Sequence, residues 1–226
     1  MTLFPDISFW QGKPDFDVMK SQTDYVILRG GQGKYADTEF ENNRKGCERV
    51  GLKWGMYWFY DDRYDPAIQA AKLSSLFPGD APRPAEIFTD WEVFYNGDFG
   101  GLKNVVAFME RVQQLMPWAV QGMYTGFYWF TSHSNPVSHQ SQYKYLKDKP
   151  LWLAWYTNDH TPTGVEHVRI PAPWTEMTYW QFGTPALGKQ YGVESVEIDM
   201  NMRMGESPTP RGSKMIMDGT LFTEQT

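Results

Sequence analysis

The 226-residue chain has only one cysteine, Cys47, and no long run of apolar residues. A single cysteine excludes an intrachain disulfide, so folding does not require an oxidising compartment. We interpret Cys47 as a small buried residue on a helix, because free cysteines are among the most buried residue types. No apolar stretch is long enough to cross a bilayer, so we expect no membrane partner.

Positive charge is also scarce. Lys and Arg number 21 against 27 Asp and Glu, which gives a net charge of −6 and a pI near 5.2. This balance argues against nucleic acid and against anionic membrane surfaces as partners. Residues 1–6 lack a basic region followed by an apolar stretch, so we see no signal peptide. We therefore expect either that export does not depend on a signal or that a signal has already been removed.

Signatures of metal and phosphate binding are missing as well. The four histidines lie in polar or Pro-containing stretches, outside any His-Glu-x-x-His frame and any cluster with cysteine. Residues 29–35 (RGGQGKY) are rich in glycine but lack the Gly-Lys-Ser/Thr ending of a phosphate-binding loop, so we interpret them as a flexible loop. We therefore expect no cofactor and no metal. The histidines are His133, His139, His160 and His167.

Aromatic residues, in contrast, are abundant. They make up 16% of the chain, with 10 Trp and 13 Tyr, which exceeds what a core needs because buried Trp and Tyr must find polar partners. A Trp-rich core with an aromatic rim would explain them. Their clustering near the ends of predicted strands favours a groove for flat, partly apolar ligands such as sugar rings.

Strand-like and helix-like runs alternate along the chain. The predicted strands are Leu3–Ser8, Tyr25–Arg29, Lys53–Tyr60, Ala85–Glu92, Ala119–Thr125, Leu151–Tyr156, Glu176–Phe182 and Val193–Met200. The predicted helices are Asp37–Val50, Pro66–Leu76, Leu102–Leu115 and His139–Lys147. Such alternation predicts an α/β fold with a single (β/α) barrel, similar to a TIM barrel in a regular or an irregular form, whose site lies at the C-terminal ends of the strands.

The sequence predicts a catalytic domain over residues 1–204, followed by a linker and a short hairpin or tail over residues 205–226. Residues 205–212 are rich in Pro, Ser and Thr, as linkers are. Residues 214–222 place an Asp-Gly turn between two short apolar runs, which is typical of a β-hairpin. Because a lone apolar hairpin is unstable in water, we expect it to dock on the barrel or on another chain, and self-association is a possible outcome. A disordered tail is the alternative.

Two carboxylates end the fourth predicted strand, in the segment Thr89-Asp90-Trp91-Glu92. Side chains alternate along a strand, so Asp90 and Glu92 are predicted to face the same side. Like charges raise each other's pKa, which keeps one group protonated near neutral pH. A protonated acid beside a charged partner is what glycosidic bond cleavage requires.

Two further carboxylates are predicted to reach the same place. Asp6 ends the first predicted strand, and Asp199 lies in the last. Closure of a barrel makes the first and last strands neighbours, so we expect all four carboxylates to converge on one mouth. Structural alternatives remain for two of them: Asp6 could cap the turn at Ser8 and Gln11, and Asp199 could form an ion pair with Arg29 or Arg203.

Eight sequence blocks in a fixed order carry a family resemblance. They are DISFWQG, VILRGGQGKYADTEFENN, GLKWGMYWFY, FTDWE, GMYTG, LWLAWY, YWQF and VEIDMNM. Over residues 3–204 the chain resembles glycoside hydrolase family 25, the Chalaropsis-type lysozymes. Three positions depart from the family pattern: Pro5, Trp58 and Trp155.

The resemblance implies a peptidoglycan hydrolase, a muramidase of the endolysin or autolysin kind. It would cleave the β-1,4 bond between N-acetylmuramic acid and N-acetylglucosamine in the bacterial cell wall. Glu92 would be the general acid and Asp90 would orient the 2-acetamido group of the substrate, while Asp6 and Asp199 would tune charge and bind the sugar. We expect retention of configuration with help from the acetamido group, although Asp6 as a direct nucleophile is the other family mechanism.

Five further residues are candidates for substrate binding, each of which could equally belong to the core. They are Tyr57, Tyr124, Trp152, Tyr156 and Gln181. Two other functions remain open. A chitinase-like hydrolase also uses Asp-x-Glu with acetamido help, but its longer run of alternating acids is absent. A carbohydrate-binding protein without catalysis would have no reason to keep four unpaired acids. We expect action on the cell wall after phage-lysin-like release, or after removal of a signal.

Overall fold

The computed structural model describes residues 2–205, which form one mixed α/β unit built on a nine-stranded sheet. The strands are β1 (Leu3–Ile7), β2 (Tyr25–Gln32), β3 (Tyr35–Ala36), β4 (Lys53–Phe59), β5 (Ile87–Asp90), β6 (Gln121–Gly126), β7 (Leu151–Ala154), β8 (Tyr179–Gly183) and β9 (Asp199–Arg203). The helices are α1 (Phe16–Gln22), α2 (Phe40–Val50), α3 (Pro66–Ser74), α4 (Leu102–Leu115), α5 (Phe127–His133) and α6 (Gln140–Leu146).

Eight of the strands close into a barrel. The sheet order is β1-β9-β8-β7-β6-β5-β4-β2-β3, and an additional pairing of β1 with β2 joins the two sides. The short strand β3 lies outside the ring and forms a hairpin with β2. The predicted barrel and the predicted contact between the first and last strands are thus confirmed, and the parallel strands point their C-terminal ends at one mouth.

Strand and helix do not alternate throughout. Between β7 and β8 there is a 3₁₀ turn at Val165–His167 and no α-helix, and the segment between β8 and β9 is also without an α-helix. The last third of the barrel is therefore closed by irregular segments. In this part of the chain the sequence is rich in Pro, Gly and Thr, which do not sustain a helical stripe.

The prediction for the last strand was wrong in position and direction. We predicted Val193–Met200, but β9 is Asp199–Arg203 and runs antiparallel to both β1 and β8. Asp199 therefore begins its strand instead of ending it. Because the strand is reversed, its first residue lies at the mouth, opposite Asp6 in the register of β1 and β9.

Residues 29–35 are ordered structure instead of the predicted loop. Strand β2 continues through Gln32 with a bulge between Arg29 and Gly31, and it turns back into β3. Gly33 at the turn has a φ of +57°, which only glycine adopts without strain. Two helices, α1 and α5, were not predicted. The helix α4 matches its predicted bounds because its apolar stripe recurs at helical spacing.

The core has two parts separated by the barrel wall. Inside the barrel, aromatic rings fill the lower space, and the Tyr179 ring contacts those of Phe4 and Phe88 at centroid distances of 5.0 and 5.5 Å. Outside, the apolar faces of the helices pack on the strands. The aromatic interior gives the mouth a rigid floor.

Within residues 2–205, no helix has both the length and the hydropathy to span a membrane. The predicted hairpin at residues 214–222, like most of the predicted linker, lies outside the described residues.

Candidate active site

The four predicted carboxylates meet at the mouth of the barrel. Asp6 comes from β1, Asp90 ends β5, and Asp199 begins β9, while Glu92 lies two residues beyond β5. The charges of Asp6 and Glu92 act on Asp199, and that of Asp6 acts on Asp90 and Glu92. Residues that span nearly the whole sequence therefore form one electrostatic cluster.

Asp6 lies at the centre of a hydrogen-bond network. Its Oδ2 accepts hydrogen bonds from Gln181 Nε2 at 3.0 Å and from Asn201 Nδ2 at 2.8 Å. Burial raises the pKa of Asp6 to about 6, although both amides stabilise its ionised form and limit the rise. Asp6 does not cap the following turn, because Ser8 accepts the hydrogen bond from Trp10 N there. That structural alternative was wrong.

Aromatic side chains hold the two amides in place. Gln181 Oε1 accepts hydrogen bonds from the hydroxyls of Tyr124 at 2.7 Å and Tyr156 at 3.0 Å. Asn201 Oδ1 accepts one from Trp152 Nε1 at 2.7 Å. With their oxygens occupied, both amides can present only N–H groups to Asp6. The network thus fixes the orientation of each amide and favours a carboxylate at Asp6.

Asp90 is a buried carboxylate without a hydrogen-bond partner on Oδ1. Burial raises its pKa well above the ordinary value, Glu92 and Asp6 raise it further, and Arg29 opposes the rise. An unpaired buried acceptor is costly unless a ligand satisfies it. Asp90 therefore has an open position for a hydrogen-bond donor.

Glu92 has a different environment from Asp90. Strand β5 stops at Asp90, and the Trp91 side chain is fully buried. Glu92 therefore lies beyond the end of the strand, with its side chain exposed to solvent. The prediction that both acids share one strand was wrong in this respect. The protein around Glu92 still displaces enough water to raise its pKa; Asp6 adds to the rise, while a hydrogen bond from Tyr124 and the charge of Arg29 lower it.

Asp199 is half-buried, and its Oδ1 has no partner. Burial raises the pKa of Asp199 to about 8, and the neighbouring charges of Asp6, Glu92 and Glu197 contribute. With its pKa at about 8, Asp199 keeps the cluster from being fully ionised at neutral pH. The titrations of the four carboxylates belong to the cluster and not to single residues.

Four of the five predicted binding residues lie at the mouth, and the fifth lies inside the barrel. Tyr57, Tyr124 and Tyr156 lie near the carboxylates, since the charge of Asp6 acts on each phenol. Gln181 contacts Asp6 directly. Trp152 is only 1% exposed and supports Asn201 from within the barrel, so it acts through another residue.

Another buried carboxylate, that of Asp62, holds the segment that carries Glu92. Asp62, which follows β4, accepts hydrogen bonds from Tyr95 N at 2.9 Å and Gly97 N at 3.2 Å, and its own carbonyl accepts one from Phe99 N. A Cβ on Gly97 would lie 2.1 Å from the Asp62 carbonyl oxygen. The segment after Glu92 is thus fixed to the end of β4, and only glycine fits at the contact.

Sequence reasoning missed Asn201, Asp62 and the role of Arg29. Asn201 lies two residues after Asp199 in the block VEIDMNM, and period-2 alternation could have placed both on the inner face. Asp62 lies in an irregular segment, where no periodicity identifies a contact with residues more than 30 positions away. Among the described residues, no group of three or more His, Cys, Asp or Glu has a metal-binding arrangement.

Comparison with known proteins identifies similar folds and a matching family profile. The profile of Glycosyl hydrolases family 25 matches residues 5–186. The catalytic domain of endolysin ply40, from bacteriophage P40 of Listeria monocytogenes, is 23% identical with a TM-score of 0.71, covering 90% of this chain and 93% of that one. The spore cortex lytic enzyme SleM of Clostridium perfringens is 24% identical with a TM-score of 0.67, covering 90% and 67%.

A bacterial lysozyme from Streptomyces coelicolor is 19% identical with a TM-score of 0.69, covering 91% of this chain and 93% of that one. A comparison with curated protein sequences found no match. At these identities the solved structures establish the barrel, and the family profile spans most of the 226 residues.

Proposed function

This chain belongs to glycosyl hydrolase family 25 and is a lysozyme-type peptidoglycan hydrolase, and from that premise we propose which residues act and how. It cleaves the β-1,4 bond between N-acetylmuramic acid and N-acetylglucosamine. Glu92 is the general acid, and Asp90 positions the 2-acetamido group of the sugar whose bond is broken. Asp6 and Asp199 bind that sugar and set the charge of the mouth. The observation that carries the proposal is the unpartnered buried Oδ1 of Asp90 close to an acid with a raised pKa.

The mechanism follows from the environments of Glu92 and Asp90. Glu92 donates its proton to the leaving oxygen as the glycosidic bond breaks, while the acetamido oxygen attacks the anomeric carbon. Asp90 Oδ1 accepts a hydrogen bond from the acetamido N–H, which stabilises the positive charge that develops on the resulting oxazolinium ring. Water then opens the ring as Glu92 takes back a proton. Two inversions give net retention of configuration.

Burial favours this role for Asp90 over direct attack by a carboxylate. The unpartnered oxygen of Asp90 is an acceptor for an N–H, and Asp6 is already held by the amides of Gln181 and Asn201. A carboxylate bound by two donors is a weaker nucleophile than a free one. The sugar's own acetamido oxygen is therefore the better attacking group.

The role of Glu92 is tested by Glu92→Gln. We expect cell-wall lysis to fall by about a hundredfold to ten-thousandfold, the usual share of general acid catalysis, with an unchanged unfolding midpoint. Glu166→Gln, a change at an exposed glutamate, is the matched control and should lyse normally. Lysis by Glu92→Gln at nearly the normal rate would remove Glu92 from the acid role.

The role of the acetamido group is tested with purified walls whose muramic acid has been de-N-acetylated. We expect turnover to drop sharply on these walls, and Asp90→Asn to lose much less activity on them than on native walls. The first product seen by NMR should be the β-anomer. Equal turnover on both walls, or an α-anomer as first product, would contradict substrate assistance.

Three further features complete the proposal. The catalytic domain spans residues 1–204, and the linker and the hairpin or tail predicted for residues 205–226 are not needed for hydrolysis. The barrel is an irregular form of the eightfold (β/α) barrel, without an α-helix between β7 and β8 or between β8 and β9. The enzyme reaches the cell wall by phage-lysin-like release or after removal of a signal.

A further inference from the structure

A cavity of about 560 Å³ adjoins the carboxylate cluster on one side. Its walls come from the ends of β1, β2 and β4 and from the segment after Glu92, and we call it the side pocket. It continues from the mouth, because Arg29 lines it and the charge of Arg29 also acts on Asp90 and Glu92. The lining residues that matter for its chemistry are Trp10, Arg29, Gln32, Tyr35, Asp61 and Arg63.

A chain of hydrogen bonds organises the polar side of the side pocket. Arg29 Nη2 donates to Gln32 Oε1 at 2.6 Å, and Gln32 Nε2 donates to Asp61 Oδ2 at 3.1 Å. Arg63 forms a two-pronged pair with Asp61, from Nε at 2.8 Å and from Nη2 at 2.6 Å. These bonds leave Nη1 of Arg63 available, and the buried Nε of Arg29 has no partner. Both guanidinium groups are oriented and retain donors.

The charge of the side pocket differs from that of the mouth. Its lining balances Arg29 and Arg63 against Asp37 and Asp61. The neighbouring mouth concentrates four acidic side chains, which disfavour an anionic group on a ligand, whereas the side pocket offers it two oriented guanidinium groups.

The rim of the side pocket is aromatic and open to solvent. Trp10 is 71% exposed and Tyr35 is 60% exposed. The Tyr95 ring stacks against Arg63, whose Cζ lies 4.1 Å from the ring centroid. Exposed aromatic rings of this size bind carbon-rich parts of a ligand, while the guanidinium groups bind its charged end. The pocket is therefore suited to a short substituent that combines both.

Peptidoglycan has such a substituent. N-acetylmuramic acid carries a lactyl ether whose carboxyl group is either free or joined to a peptide with carboxylates of its own. We propose that the side pocket binds a carboxylate-bearing substituent of the glycan that the mouth cleaves, with Arg63 as the specificity-determining residue. This inference rests on the proposed function, and it adds a recognition site for the side group to the site that acts on the sugar backbone.

The test compares three soluble glycan strands of equal length. The first carries its peptides. The second has lost them to an amidase and ends in free lactyl carboxylates. The third is the second after its carboxylates have been coupled to methylamine, which makes them neutral. The value of kcat/KM is measured on each from the release of reducing ends.

We expect Arg63→Gln to lower kcat/KM on a carboxylate-bearing strand by roughly tenfold relative to the neutral strand, as loss of a hydrogen bond to a charged group would. A loss confined to the first strand assigns the peptide carboxylate, a loss confined to the second assigns the free lactyl carboxylate, and a loss on both shows that the pocket accepts either. Arg83→Gln is the matched control, because Arg83 is an exposed arginine on a cavity at the other end of the barrel. It should change no ratio.

Arg63→Gln leaves the buried Asp61 without its guanidinium partner, so two further variants separate binding from folding. The double variant Asp61→Asn with Arg63→Gln should show the same ratio as the single variant, and Arg63→Lys should restore part of it. Equal losses on all three strands would overturn the inference. If the enzyme cleaved none of the strands, the proposed function would fail instead. Calorimetric binding of the same strands in a Glu92→Gln background would still decide the role of the pocket.

Discussion

At the residue scale, one hydroxyl connects the acid to the network around Asp6. Tyr124 forms a hydrogen bond with the Glu92 carboxylate, and its oxygen lies 2.7 Å from Gln181 Oε1. A phenol has one proton, so it can donate to only one of these acceptors at a time. The ionisation of Glu92 and the hydrogen bonding of Gln181 are therefore coupled through Tyr124.

Tyr124→Phe should shift the pH dependence of the reaction. The Tyr124 hydrogen bond lowers the pKa of Glu92, so its removal raises that pKa. Glu92 works in its protonated form, and activity is lost as the pH rises through its pKa. We therefore expect the alkaline limb of the kcat/KM profile to move to higher pH.

Tyr156→Phe is the control for this shift. Tyr156 also donates to Gln181 Oε1, at 3.0 Å, but its phenol interacts with Glu92 only through the charge of that carboxylate and not through a hydrogen bond. We expect its alkaline limb to stay in place. A shift of equal size in both variants, or a shift of Tyr124→Phe to lower pH, would show that Tyr124 does not set the pKa of Glu92.

At the element scale, the position of Glu92 depends on a segment without regular secondary structure. Residues 91–101 carry Glu92, then form a wall of the side pocket through Tyr95, and then lead into α4. The segment is held by Asp62 and by the Tyr60 hydroxyl, which donates to the Phe99 carbonyl at 2.8 Å. The end of β4 therefore positions the acid that follows β5.

Asp62→Ala should loosen this segment. Two partly buried backbone N–H groups, of Tyr95 and Gly97, would lose their acceptor, and each loss costs up to about 1–3 kcal/mol, the cost of a fully buried donor. We expect kcat to fall at least tenfold, since small displacements of a catalytic group are costly. Hydrogen exchange at these two amides should become faster.

Asp65→Ala is the control for the Asp62 variant. It removes a carboxylate that caps α3 nearby and receives two backbone N–H groups in the same way. We expect it to lower the unfolding midpoint with little effect on kcat. If Asp62→Ala lowered stability while leaving kcat and the exchange of both amides unchanged, Asp62 would have no positioning role.

At the scale of the whole molecule, closure of the barrel depends on its last strand. Strand β9 joins β1 to β8 and supplies both Asp199 and Asn201. The N-terminal and C-terminal parts of the described chain thus form one hydrogen-bonded unit. Without β9, two strand edges and the aromatic interior would be open to water.

Two truncations test this dependence. A chain that ends at residue 197 lacks β9, and we expect it to aggregate or to give no cooperative unfolding transition. A chain that ends at residue 206 keeps β9 and should hydrolyse soluble muropeptide fragments at the normal rate. It should differ from the full chain in oligomeric state, unfolding midpoint or wall affinity, because the predicted hairpin is removed. Loss of activity in the longer truncation product would contradict the predicted domain boundary.

The sequence by itself determined the barrel, the family and the identity of the four carboxylates. Local patterns carry this information: apolar runs predict strands, the stripe of Leu102–Leu115 predicts α4, and the block around Asp90 and Glu92 stands at a strand end. These patterns depend on neighbouring residues, which a sequence displays directly. The same patterns placed Tyr124 and Gln181 near strand ends, where the structure has them.

Only the tertiary structure decided how the mouth is arranged. The reversed direction of β9, the exposure of Glu92 beyond the strand, and the contacts of Asp6 with Gln181 and Asn201 all join residues far apart in the chain. The raised pKa of Asp199, about 8, comes from burial and from charges brought near by folding. Such long-range contacts leave no local periodicity, so the sequence specifies which groups are present while packing decides their neighbours and their protonation.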